Sequence, residues 1–148
     1  MKRNIAAIVL AALYFLPGCS KKEYTNGFND PLLFSRTVKE LNNVVMQNNF
    51  PPIIASRNYA YANIAAYETM VLGDERFQSL AGQIKHLPAL PKQDTVNVNF
   101  QYASLLAFCK VGQAVTFPEG SMKEYVSRLD SIADACHMTS LMKAVSKR

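Results

Sequence analysis

The sequence predicts an all-α protein, a helical bundle of about four main helices. Two observations point there. Apolar residues recur at spacings of three and four in successive long segments, the period of a helix with one buried face. No strand-rich segment and no internal repeat interrupts them.

Ahead of the bundle, Met1, Lys2 and Arg3 precede an almost wholly apolar run from Asn4 to Leu16, and then Leu16-Pro17-Gly18-Cys19. A positive start, a short apolar stretch and a small-residue cleavage site make a signal peptide of residues 1–18. The run is shorter than the roughly 20 residues that cross a bilayer core. Leu16 and Gly18 around Pro17 resemble the lipobox of bacterial lipoproteins, in which the cysteine thiol is diacylated, so Cys19 is the expected lipidation site. Residues 19–29 then read as a polar tether, with Lys21 and Lys22 able to rest against anionic headgroups or to stay solvated. This predicts a cell-envelope protein held to the membrane through lipid on Cys19.

Residues 30–148 hold the helices. Asn29-Asp30-Pro31 offers a capping side chain and a proline at the first helical position, and Phe34, Val38, Leu41 and Val45 mark one buried face. Pro51-Pro52 stops this helix. A second runs from about Pro52 to Leu72 and ends at Gly73 as a C-terminal cap. Ala55, Ala60, Ala62, Ala65 and Ala66 mix with Tyr59, Tyr61 and Tyr67, making it apolar most of the way round, so it is expected to be the most buried element. Residues 73–95, with Gly82, Pro88 and Pro91, read as a long connection holding at most a short helix near Asp74–Leu80 and packed over a neighbouring surface. A third helix covers Asn97–Val115, with Phe100, Ala103, Ala107, Val111 and Ala114 on its buried face. The alternation in Thr95–Asn99 leaves a strand start open there. Ser121-Met122-Lys123-Glu124 has the form of a capping box for a fourth helix, whose buried face is Met122, Tyr125, Val126, Leu129, Ile132, Ala133 and Cys136. Thr139–Arg148 is long enough for one more short helix.

Loss of Lys2 and Arg3 with the signal lowers the formal net charge from +5 to +3, and the basic residues form no stripe or run. Nucleic acid is therefore not an expected partner. Cys109 and Cys136 both fall on apolar helix faces and are expected as buried free thiols, with a disulfide as the alternative in an oxidising compartment. Two cysteines without a close pair, and two distant histidines, do not make a structural metal site.

The run from Phe50 to Glu68, FPPIIASRNYAYANIAAYE, resembles a segment of vanadium-dependent haloperoxidase-like lipoproteins, members of the type 2 phosphatidic acid phosphatase superfamily. Phe117-Pro118-Glu119-Gly120-Ser121 before an amphipathic helix is similar to a second segment of the same proteins. The resemblance spans residues 30–137 and implies that the bundle is partial, the N-terminal half of a larger all-α fold. It also implies an enzyme that binds vanadate or phosphate and either oxidises halide with peroxide or hydrolyses phosphomonoesters. That chemistry needs cationic side chains around an oxyanion, a histidine to attack phosphorus or bind vanadium, and a second histidine as acid or base.

The family's motifs, K-x6-R-P, P-S-G-H and S-R-x5-H-x3-D, are absent. Ser56-Arg57 opens the third, but Asn63 and Tyr67 stand where its histidine and aspartate belong; Ser127-Arg128 is followed by Asp134 and Met138 at those places. Phe117–Ser121 matches the second only in its proline and glycine. No catalytic, cofactor-binding or metal-binding residue is therefore assigned, and vanadate or phosphate is expected to be bound by the absent half. His86 in the proline-flanked connection and His137 at a helix end read as structural. Arg57, Tyr61, Asn63, Tyr67 and Glu68 are the candidates for a polar network orienting the second helix, with ligand binding as the alternative; Glu68 lies far enough along to need partners from elsewhere. The expected function is the N-terminal structural region of a membrane-anchored haloperoxidase-like or acid-phosphatase-like lipoprotein, inactive alone, with the missing C-terminal half as partner. The alternative is a complete small envelope lipoprotein that binds another protein.

Overall fold

The computed structural model describes residues 24–90, 96–118 and 120–147. The lipidation site Cys19 and the signal peptide lie outside these residues. After a single 3-10 turn, Gly27–Asn29, come five helices: α1 Pro31–Gln47, α2 Pro52–Val71, α3 Phe100–Ala114, α4 Lys123–Ala135 and α5 Ser140–Ser146. The described residues hold no strand, so the all-α reading stands, and the strand start considered before the third helix is a turn in its described part, Val96–Asn99.

Asp30 caps α1 as expected, its carboxylate accepting from Leu32 N–H at 2.9 Å with Pro31 beginning the helix. The buried face is rotated from the predicted one. Leu33, Thr37, Leu41, Val44 and Val45 point inward, while Val38 is half-buried and Phe34 is exposed on one side and packed edge-on against Phe108 on the other. Apolar spacing missed Thr37, because its hydroxyl is satisfied twice: it donates to the Leu33 carbonyl at 2.9 Å and lies 2.8 Å from the Tyr125 hydroxyl.

α1 to α4 run alternately up and down. The start of α1, the end of α2, the start of α3 and the end of α4 meet at one end. Phe28 and Leu33 share a cleft there with Met70 and Gln101, and Thr25 N–H donates to the Cys136 carbonyl at 3.1 Å. α2 and α3 are the most extensively packed pair, and Ala55, Ala62 and Ala66 let them approach closely.

The most buried element is α3, not α2 as the sequence suggested. α3 touches every other helix and buries Tyr102, Leu105, Phe108 and Cys109, whereas α2 uses one side on α3 and leaves Ile53, Arg57 and Tyr61 in solvent. Its buried face also differs from the expected one: Phe100, Ala107 and Val111 are half-buried and Ala114 is exposed. Burying a side chain such as Phe108 contributes ~1.5–3 kcal/mol.

α2 ends on Leu72 in right-handed conformation, so Gly73 is not a left-handed cap. It makes room instead: a Cβ there would lie 2.2 Å from the Phe100 ring. The expected capping box of α4 is not formed, since Met122 is the cap residue and no side chain bonds the first turn. Pro118 and Gly120 carbonyls accept from Ser121 and Lys123 N–H, a local turn that leads into the helix. The predicted inner face of α4 does face inward, with Met122, Tyr125, Leu129, Ala133 and Cys136 buried.

Candidate functional site

At the end where the helix termini converge lies a cleft of about 610 Å3. Phe28, Pro31, Leu33 and Phe34 form one wall, Ala66, Tyr67 and Met70 of α2 a second, Leu105 of α3 the floor, and Phe77 the rim. Its polar groups are Asn29, Asp30, Asn63, Gln101 and Ser104. Most are already engaged: Asp30 caps α1 and pairs with Arg36 at 3.4 Å, Asn63 Nδ2 donates to the Tyr59 carbonyl at 2.8 Å, and Ser104 Oγ donates to the Gln101 carbonyl at 2.8 Å.

The rim is held by two of the candidate residues. Glu68, only 5% exposed, accepts from Ser79 Oγ at 2.7 Å and from Leu80 N–H at 2.6 Å. One residue earlier, the Tyr67 hydroxyl donates to the Gln78 carbonyl at 2.9 Å and its ring meets Phe77 edge-on at 6.3 Å. The long connection is thus pinned over the end of α2 and contains no helix in its described part. The remaining candidates do not join this clamp. Among the described residues Asn63 bonds only within its helix, and Arg57 and Tyr61 stand on the exposed side of α2, with no ion pair to Arg57.

A second polar cluster borders a smaller cleft of about 260 Å3, next to the first and sharing Met70 and Gln101 with it. Asn99 caps α3 by accepting from Tyr102 N–H at 2.8 Å, while its Nδ2 donates to the Tyr24 hydroxyl at 2.5 Å and to Asn26 Oδ1 at 3.3 Å. Its own N–H donates to Ser146 Oγ at 3.0 Å. Tyr24 to Asn26, in the last part of the polar tether, are therefore bonded to the bundle. Deeper in, the Tyr102 hydroxyl donates to Asp130, which Lys147 also meets at 2.7 Å. Burial, then the bond to Asp130, push the Tyr102 hydroxyl far above its ordinary range. Burial works to raise the Asp130 carboxyl, but bonds from Lys147 and Tyr102 outweigh it and hold it low. Sequence reasoning missed Asn99, though its place before an apolar helical run is a capping signal. No local pattern marks Tyr102 with Asp130, 28 residues apart.

Cys109 and Cys136 are free and buried. Burial, with Glu40 nearby, pushes the Cys109 thiol up to about 12, so it packs as a hydrophobe and is not a nucleophile. His86 and His137 are exposed loop residues with positive φ, and neither lines a cleft described here.

Comparison with known proteins places this arrangement. The chain is similar in structure to a bacterial vanadium-dependent iodoperoxidase. The TM-score is 0.72 at 27% sequence identity, over 79% of this chain and 28% of the iodoperoxidase chain. No protein-family model and no curated protein matches the chain. The bundle thus has a haloperoxidase-like helical fold and spans little more than a quarter of the iodoperoxidase chain. The clefts do not fit an oxyanion such as vanadate. No lysine, arginine or histidine lines either one, and the carboxylates at their walls, Asp30 and Asp74, are each paired with an arginine of their own, Arg36 and Arg76.

Proposed function

We propose that this chain is the N-terminal structural region of a membrane-anchored haloperoxidase-like or acid-phosphatase-like lipoprotein. In this reading its own residues hold no vanadate or phosphate and do no chemistry. They supply a rigid helical bundle on which the catalytic half assembles, and lipid on Cys19 keeps the assembly at the cell envelope. The observation that carries the reading is the likeness to the iodoperoxidase, together with the absence of all three oxyanion-site motifs from this sequence. The side of α2 bearing Ile53, Arg57 and Tyr61 supports it, since a helix so rich in alanine and aromatic residues ordinarily packs on both sides.

The test is to sequence the genomic DNA downstream of the Arg148 codon in all three frames. The K-x6-R-P, P-S-G-H and S-R-x5-H-x3-D motifs are expected there, and their absence would overturn the reading in favour of a small protein-binding lipoprotein. Anchoring is checked separately: labelled palmitate is expected in the wild-type chain and not in Cys19→Ser.

A further inference from the structure

We propose that the end of the bundle where the tether enters is a membrane-docking face, whose exposed apolar side chains sit in the lipid interface. The inference rests on lipid attachment at Cys19. It starts from where the chain joins the fold. Tyr24 and Asn26 are hydrogen-bonded to Asn99 at the start of α3, and Thr25 to the Cys136 carbonyl at the end of α4. From Cys19 to Tyr24 is five residues, which span at most roughly 18 Å. A lipid on Cys19 therefore holds this end within that distance of the bilayer.

The surface presented there is apolar. Leu32, in the first turn of α1, is 57% exposed; Leu141, in the first turn of α5, is 59% exposed; and Phe34 and Phe77, at the mouth of the larger cleft, are 39% and 46% exposed. Leu141 belongs to this end because its neighbour Met142 lines the smaller cleft with Tyr24. Lys21 and Lys22, in the link of Ser20 to Glu23, outnumber its one acidic residue and favour anionic headgroups. Apolar side chains also protrude at the far end, Ile53 among them, but that end stands a helix length of roughly 30 Å from the point where the tether enters, so a bundle docked through the tethered end holds it away from the bilayer. No described helix is long and apolar enough to span the membrane, so the docking is interfacial.

The chain contains no tryptophan, which allows a direct test. Leu32→Trp, Leu141→Trp and, as control, Ile53→Trp are made singly in the full-length, cell-processed protein. Each is reconstituted into phosphatidylethanolamine and phosphatidylglycerol vesicles containing brominated lipid. The expected result is blue-shifted, quenched emission at positions 32 and 141 and unquenched emission at 53. Protein that floats with the vesicles but shows no quenching at 32 and 141, or equal quenching at 53, overturns the docking face while leaving the lipid anchor standing. Protein that does not float overturns the anchor and the docking face together. All three positions are exposed, so the substitutions leave the core untouched.

Discussion

Glu68 shows how one buried side chain organises a long connection. Its two oxygens accept from a hydroxyl and an amide that would otherwise lack partners at the end of α2. Glu68→Gln keeps one acceptor but turns the other into a donor facing Ser79, and is expected to cost about 1–3 kcal/mol. Denaturant unfolding measures this, and an unchanged midpoint would remove the clamp from the account of the rim. Tyr102 and Asp130 give stability a pH dependence with a definite sign. Asp130 is held below its unfolded value, so its contribution is present above about pH 4 and is lost as pH falls through the folded value. Tyr102 is held above its unfolded value, so its contribution is full below about pH 10 and is lost as pH rises beyond it. Urea midpoints across pH should decline on both sides. In Asp130→Asn the acid decline should be shallower, and a superimposable profile would contradict the assignment.

At the scale of elements, helix ends decide which capping signals matter. Asn99 and Ser121 both precede helices, but only the Asn99 side chain bonds its first turn, and it also ties Tyr24 to α3. Asn99→Ala is therefore expected to cost about 1–2 kcal/mol, and Ser121→Ala less than about 0.5 kcal/mol. Thermal unfolding of the two variants side by side would check the ranking; equal losses would mean the Ser121 box forms after all. Gly73 serves the junction of α2 and α3 by its lack of a side chain. Gly73→Ala pushes a methyl into Phe100 and should cost about 1–3 kcal/mol, whereas Gly82→Ala, where a Cβ meets nothing, tests only backbone strain at positive φ. A Phe100→Ala background should relieve most of the Gly73→Ala cost, which a capping role for Gly73 would not allow.

For the molecule as a whole, the proposed structural role predicts chemical inertness. The cell-processed protein, given hydrogen peroxide, iodide and vanadate, is expected to oxidise iodide no faster than a protein-free blank, and to hydrolyse no phosphomonoester. Activity in either assay would require a histidine and cations that the clefts do not supply, and would end the structural reading. The likeness to the iodoperoxidase covers most of this chain but only 28% of the other, so the same bundle there sits beside far more protein.

Periodicity, prolines and the Asp30 cap were enough to place the main helices within a few residues and to identify the inner face of α4, because both depend on neighbours three and four apart. The absence of oxyanion motifs was equally legible, since it needs no structure. Burial order was not. α2 looks central by composition, yet α3 is central because it packs substantially on every other helix, a property of the packing and not of any segment. The faces of α1 and α3 turned for the same reason: Thr37 and Ser104 are buried where hydrogen bonds satisfy them, and hydrophobicity cannot foresee such partners. The pairings of Glu68 with Ser79 and Leu80, and of Tyr24 with Asn99, join residues 11 to 75 positions apart. Such contacts exist only after the chain has folded back on itself, so the clamp at the rim and the place where the tether enters belong to the tertiary structure.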